Sequence, residues 1–509
     1  MDQYFKEQQE LGIIERIENL EQFLLENPCH SFMGHLGVFK LERETTKCWV
    51  VFLSNLSERD PSQKVTLSHN QAMLSGPCIN QKITTALLNL RFDTKLLCFD
   101  VKKAFLNICL TPLDSNKLLF LWFKNMARKD YTLVGYRNLR LPFGLVCSPC
   151  LLLLGLYKIL MTDTDMDSKE IKELKKHIYS LIYMDNGSIT SNTAELLWAF
   201  DNLKNIFEPY KFFLQQFVTN DKELQDKINE NESKKTSAEV KLLGMVWNRL
   251  EDTLRKRHLQ LDIGADNKRK VLKSIAAHYD VFGFTGPILN RARLFLHKLQ
   301  CDGSFDWDMK LDDSLLREWK NICKQVNASP EIKIQRFVGR RNSQYRLIAF
   351  TDSSKDIYGT TVYIQEIDSL EVSFVLAKNR IVNKALSAKG IPSLEFQSIV
   401  LGLEVLIDLY KDLVGPACVS PVDIVELKLY SDSLVSLAWI NSHVHKLKKQ
   451  SKESIFILNR LEHISRLCEI HPIIYGFVSG IENPADQITR PVSYRTLMKS
   501  NYFSGPKYF

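Results

Sequence analysis

The stretch LIYMDNGSIT, residues 181 to 190, constrains this chain more than any other. Leu181, Ile182, Tyr183 and Met184 favour an extended strand, and Asn186 with Gly187 is a strong tight-turn signal. The pattern predicts a β-hairpin that lifts Asp185 to an exposed tip. Alone, an Asp-Asn-Gly is an ordinary surface turn. A second acidic strand upstream changes its meaning. In CFDVKKAFLNI, residues 98 to 108, Asp100 follows a short apolar run and precedes Lys102, Lys103, Ala104 and Phe105. Two strand-borne carboxylates of this kind can share a divalent cation.

At 509 residues and 58.9 kDa the chain exceeds one core, and two to four domains are expected. A hydrophobic content of 45% with 25% charged residues is globular rather than disordered. The net charge of +8 suits a polyanionic partner. Among eleven cysteines, Cys147 and Cys150 form the one CxxC, and no second ligand pair follows it. That usage predicts reduced thiols in an intracellular protein, cytoplasmic or nuclear. The start, MDQYFKEQQE, has no signal-peptide core, and the longest apolar run, residues 150 to 156, is far shorter than the roughly 20 residues of a membrane span. No membrane partner is expected.

Apolar spacing predicts one helix over residues 1 to 28, ending at Pro28, and a hairpin over 30 to 53. NQKITTALLNLRF reads as an amphipathic helix feeding the Asp100 strand, and residues 118 to 123, LLFLWF, as a strand. In YRNLRLPFGLVCSPCLLLLGLYKIL, residues 136 to 160, Pro142, Gly144 and Pro149 make a constrained turn before an apolar helix. Residues 195 to 330 read as mostly helical, with KELQDKINENESKK as a solvated loop. Arg255, Lys256, Arg257, His258, Lys268, Arg269, Lys270 and Lys273 form either a basic face for a duplex backbone or a solvated helix face.

From residue 345 the pattern changes. YRLIAFTDSSKDIYGTTVYIQE is a strand carrying Asp352, a turn and a second strand; SLEFQSIVLGLEVLIDLY is a helix with Glu395 in its first turns. ELKLYSDSLVSLAWI is a buried strand ending at Asp432 and entering a helix, and IENPADQITRP places Asp486 at a helix start. Each acid alone is an ordinary cap or turn residue. Four in the order Asp, Glu, Asp, Asp are a stronger signal, because such a cluster repels itself without cations.

The order of parts resembles the palm of reverse transcriptases: an Asp strand ending in Ala-Phe, a Leu-Pro-Phe-Gly loop with Ser-Pro, then a Tyr-x-Asp hairpin. With GPCINQKITTALLNLRFD before CFDVKKAFLNI and LLGMVWN at 242 to 248, nearly the whole chain resembles the BEL/Pao class of long-terminal-repeat retrotransposon polyproteins. The resemblance implies an α/β (α+β) multidomain fold: a right-hand polymerase with palm, fingers and thumb, followed by a ribonuclease H-like mixed-sheet domain. It implies fingers and palm over 1–207, primer grip, thumb and connection over 208–340, and the ribonuclease H-like domain with a C-terminal linker, ending SNYFSGPKYF, over 341–509. No integrase, protease or capsid pattern is present, so the chain resembles the excised middle of a polyprotein.

By the same resemblance Asp100 and Asp185 carry the two metals of nucleotidyl transfer, and Phe105 is a gate against a 2′-hydroxyl. Leu141, Pro142, Phe143 and Gly144 flank template and nucleotide. Tyr183, Met184 and Asn186 on the hairpin, and Leu243 and Gly244 of the primer grip, complete the substrate contacts. Asp352, Glu395, Asp432 and Asp486 match the four ribonuclease H acids without substitution. The implied cofactor is Mg²⁺, two ions per active site, with Mn²⁺ as an alternative. The implied partners are an RNA template, a DNA primer, RNA–DNA hybrid and deoxynucleoside triphosphates.

Two departures matter. The family hairpin reads Tyr-x-Asp-Asp, and Asn186 stands in its last position. One formal charge is worth roughly 4 kcal/mol at about 4 Å with an effective dielectric of about 20, before screening. The fingers read CWVVFLSN, with Trp49 and Leu53 where the family has Arg and Asp, and a tryptophan makes no charge-assisted bond to phosphate. The expected function is an RNA-directed DNA polymerase with ribonuclease H activity, the polymerase impaired. The alternatives are a repurposed, non-catalytic nucleic-acid-binding protein of retrotransposon origin and an unrelated metal-dependent phosphohydrolase.

Overall fold

The structure, a computed structural model, describes residues 1–39, 48–57, 67–126, 128–164, 167–232, 236–256, 258–303, 306–414, 422–441 and 452–506. Arg257, the 40–47 part of the first hairpin, the 233–235 end of the charged stretch and the last three residues of the linker lie outside them. The chain divides into two compact units. One comprises Met1–Gln81, Leu97–Ile189 and Ala194–Val218; the other comprises Lys82–Leu96, Thr190–Thr193 and Thr219–Phe509.

In the first unit the N-terminal segment is not one helix. Asp2–Glu10 is helical, Gly12 turns the chain at φ +64°, Ile14–Ile17 is a strand and Leu20–Glu26 is a second helix capped by Asn19. The apolar spacing fits both periods, and the two β-branched residues Ile14 and Ile17, pairing antiparallel with Asp130–Asn138, decide it. Leu119–Asn125 completes that sheet on the other side of Asp130–Asn138. His35–Phe39 and Cys48–Phe52 form the expected antiparallel hairpin.

A second sheet runs in the order Asn186–Ser191, Lys95–Val101, Leu214–Thr219. Two helices precede its first strand. Ser148–Met161 starts on Pro149 and buries Leu152, Leu153, Leu156, Ile159 and Leu160. Lys169–Leu181 is capped by Ser168 and buries Leu174, Ile178 and Leu181. Among the described residues no helix is long and apolar enough to cross a membrane.

In the second unit the stretch expected as a solvated loop begins as the helix Lys222–Glu232. Asp221 accepts from Leu224 N at 3.0 Å, and Leu224, Gln225 and Ile228 are buried. Three buried positions among the charges suffice to hold it. A four-stranded sheet follows in the order Lys333–Gln335, Thr253–Arg255, Met245–Asn248, Glu239–Leu242. Leu243 and Gly244 turn its hairpin at φ +47° and +88°.

Two buried arginines bind the 82–96 segment into this unit. The Arg91 guanidinium donates to the carbonyls of Arg336, Gln335 and Val375, and burial pushes its pKa down to about 9. Arg336 pairs with Asp252 at 2.7 and 2.8 Å and donates to the carbonyls of Leu90, Asp93 and Thr94. Backbone carbonyls over this span are thereby satisfied without strand pairing.

The C-terminal sheet has five strands in the order Val372–Ile381, Ile357–Glu366, Gln344–Ser353, Asp423–Ser431, Ile473–Phe477. The first three are antiparallel neighbours and the last two pairings are parallel. A parallel pairing needs a crossover, and helix Ile391–Val414 supplies it. A Cβ on Gly402 of that helix would lie 2.4 Å from Thr351 Cγ2, so glycine lets the helix seat against the strand beside Asp352.

Candidate active sites

Asp100 lies on the central strand of the 95–101 sheet, where Gln215 Nε2 donates to its Oδ2 at 2.8 Å. The Val101 amide donates to the Asp185 carbonyl at 2.9 Å, so the two acids are neighbours. The hairpin differs from its sequence reading. Its first arm is the end of helix Lys169–Leu181, and Tyr183 and Asn186 exchange backbone bonds of 2.8 and 2.9 Å. Met184 and Asp185 are therefore the two turn residues, with Met184 at φ +56°. Gly187 lies in the strand instead, because a Cβ there would fall 2.1 Å from the buried Phe99 ring. Asp185 is half-buried rather than exposed, and burial raises its carboxyl above the usual range. Asn186 is exposed, and its Nδ2 lies 3.3 Å from Asp185 Oδ1. Each palm carboxylate thus accepts from an amide.

Phe105 sits in the short turn Ala104–Asn107 with its ring edge-on to Phe143, the centroids 5.0 Å apart. Leu141 and Pro142 are buried, whereas Phe143 is half-buried and Gly144 exposed. Gly144 has φ +111°, and a Cβ would strike the Phe52 carbonyl at 2.2 Å. Trp49, half-buried, pairs with Val38 in the first hairpin. In the second unit Leu243 is half-buried and Gly244 exposed.

The second set of acids is built around the strand Gln344–Ser353. Thr351 pairs with Ser431, so Asp352 and Asp432 leave adjacent parallel strands together. Glu395 lies near the start of helix Ile391–Val414, and Asp486 lies in the turn Pro484–Gln487. Asn483 ties that turn down by donating to the Thr351 carbonyl at 3.0 Å. Each acid has a partner that composition did not reveal. Thr489 Oγ1 donates to Asp352, Ser433 Oγ donates to Glu395 at 2.6 Å, Asn483 bonds Asp432, and Arg490 pairs with Asp486 at 2.5 Å. The signal available was spacing: Ser433 follows Asp432, and Thr489 and Arg490 lie three and four residues beyond Asp486.

These carboxylates feel one another. Burial, then the charge of Asp352, then that of Glu395, push Asp432 up to about 6 against the lowering bond from Asn483. Burial raises Asp352 despite Thr489 and Arg490, and burial with the charge of Asp352 raises Asp486 despite Arg490. Among the described residues no group of three or more His, Cys, Asp or Glu side chains stands close enough together to hold a metal ion. The donor chemistry, four carboxylates of which Asp432 and Asp486 are raised by neighbouring charge, still suits a hard cation such as Mg²⁺.

Three side chains of the basic span are paired with acids within the protein, and two others are buried. Arg255 pairs with Glu239 and Glu331, Arg269 with Asp308 and Lys270 with Asp266. Lys256 is buried, and Lys268 is buried with its ammonium over Trp307. The exposed pairs of Arg269 and Lys270 fit the second of the two alternatives, a solvated helix face. Neutralising Lys268, Arg269 and Lys270 together is therefore expected to change the slope of log K against log salt for hybrid binding by less than about 1, where three free phosphate contacts would remove about 2.7. A loss near the larger figure would return these side chains to the nucleic acid.

Residues 267–433 match the family described as the Pao retrotransposon-like RNaseH-like domain. No curated protein matches the chain in sequence. Three solved structures of a foamy viral protease-reverse transcriptase share its fold. The dRH form in complex with double-stranded DNA has a TM-score of 0.58 at 13% identity, over 92% of this chain and 68% of that one. A second complex with double-stranded DNA has 0.55 at 14%, over 94% and 82%. The complex with an RNA/DNA hybrid has 0.53 at 12%, over 96% and 54%, so this chain spans about half of it. The fold is that of a polymerase with a ribonuclease H-like domain. The match at 267–433, together with the shared fold, supports the resemblance of the chain to a retroelement Pol region of Pao type.

Proposed function

We propose that this chain cleaves the RNA strand of RNA–DNA hybrids at Asp352, Glu395, Asp432 and Asp486, and that its palm is a weakened RNA-directed DNA polymerase. The observation that carries the reading is the placement of Asp352 and Asp432 at the ends of adjacent parallel strands, where burial and the charges of Asp352 and Glu395 push Asp432 up to about 6. Carboxylates held this way are arranged for a cation they have yet to share. Bound there, Mg²⁺ would supply a water activated for attack and offset charge on the phosphodiester. The chain's own part is orientation: Thr489 fixes Asp352, Ser433 fixes Glu395, and Asn483 holds the Asp486 turn against the central strand.

In the palm, Gln215 and Asn186 present amides to Asp100 and Asp185. That observation favours a second reading for the first unit alone, a palm that grips hybrid without extending it. Deoxynucleoside triphosphate would then find neither the second carboxylate nor the fingers arginine. The test is cleavage of a labelled RNA strand in Mg²⁺ and in EDTA, with the same RNA single-stranded and in an RNA duplex as controls. Cleavage confined to the hybrid and to Mg²⁺ is expected. Equal cleavage of single-stranded RNA would remove the hybrid from the proposal, and activity in EDTA would remove the metal.

A further inference from the structure

We infer that Arg490 is the built-in counter-ion of the ribonuclease acid cluster, holding Asp486 when no cation is present and competing with the cation for it. The inference rests on the assignment of those acids as a cation site. Arg490 lies four residues beyond Asp486, past the end of the short turn Pro484–Gln487, and meets its Oδ1 at 2.5 Å. Its side chain remains 62% exposed while that of Asp486 is 27% exposed, so the guanidinium reaches in from solvent and can leave without unpacking a core. Its positive charge also acts on Asp352, on the neighbouring strand end. Among the described residues the other polar side-chain partners shown for the cluster include the neutral Thr489, Ser433 and Asn483, which orient carboxylates without offsetting their charge. One cation thus relieves repulsion that two of the four acids share. A divalent ion entering beside Asp486 meets that charge and must displace it or bind against it.

The consequence is a trade between metal-free stability and metal affinity. With the full chain carrying Arg490→Gln, thermal melting in EDTA and across a Mg²⁺ titration, with calorimetric Mg²⁺ binding beside it, separates a counter-ion from a structural tie. The variant is expected to melt below wild type in EDTA, with the deficit shrinking as Mg²⁺ fills the site. It is expected to bind Mg²⁺ roughly two- to fivefold more tightly, the range set by a partly exposed ion pair. Arg490→Lys, which keeps the charge, should fall between them. A deficit equal in EDTA and saturating Mg²⁺, or an unchanged or weaker Mg²⁺ affinity, overturns the inference. If wild type responds to Mg²⁺, Asp432→Asn abolishes that response and Arg490→Gln behaves as wild type, the cation site stands and the counter-ion role alone fails. If wild type binds no Mg²⁺, both fall.

Discussion

Asp432→Asn is expected to abolish cleavage of the RNA strand while leaving hybrid binding nearly intact. Asp432 stands where two parallel strands end, and it feels the charges of both Asp352 and Glu395. Replacing it by an amide keeps the shape and removes the charge on which cation binding depends. Metal-assisted stabilisation of the transition state is worth several kcal/mol, so the expected loss is on the order of a thousandfold or more. Cleavage at the wild-type rate would reject the site.

The same variant has an opposite effect on stability. The folded carboxyl titrates near 6, above the ordinary aspartate value of 3.8. Its stabilising contribution is therefore complete below the unfolded value and is lost as pH rises through about 6 in metal-free protein. At pH ~7 in EDTA the variant should melt higher than wild type. Discounted for a half-exposed group, the gain is about 1 kcal/mol, or about 2–4 °C. The difference should vanish near pH ~4. Melting curves at the two pH values check this independently of any activity.

Asn186→Asp is expected to raise primer extension in Mg²⁺ by an order of magnitude or more. The side chain is exposed, and its amide now donates to the carboxylate it should assist. The substitution exchanges that donor for an acceptor of cations. About 1.4 kcal/mol of transition-state stabilisation is tenfold, well within the worth of one charge beside a metal. Partial rescue of the unmodified chain by Mn²⁺ belongs to the same account. Trp49 in the fingers hairpin limits the gain, because it offers no charge-assisted bond to triphosphate. The double variant with Trp49→Arg is expected to extend further. Continued silence in the double variant would make the palm structural.

The positions of three of the four C-terminal acids are legible because each sits near the end of an element whose period is plain: a strand for Asp352 and Asp432, a helix for Glu395. Their partners Thr489, Ser433 and Arg490 were on the page only as spacings. The palm turn was misread because Asn186-Gly187 outranks every other local turn signal, whereas Gly187 serves contact with Phe99 across the sheet. That is a tertiary demand, invisible in a window of ten residues. The opening helix failed similarly, since pairing of Ile14–Ile17 with a strand more than a hundred residues later overrides local period. The Arg91 and Arg336 guanidinium bonds lie some 245 residues apart in sequence and have no local signature at all. The basic span read as free charge because its acid partners, Glu239, Asp308 and Glu331, come from elsewhere in the chain.

One substrate tests both halves of this account together: an RNA template carrying a recessed DNA primer, with the RNA and the primer labelled separately, incubated with the unmodified chain, Mg²⁺ and all four deoxynucleoside triphosphates. The prediction is RNA cut within the hybrid region while the primer stays close to its starting length. Full-length extension over intact RNA would contradict it, showing a competent palm and a silent ribonuclease site.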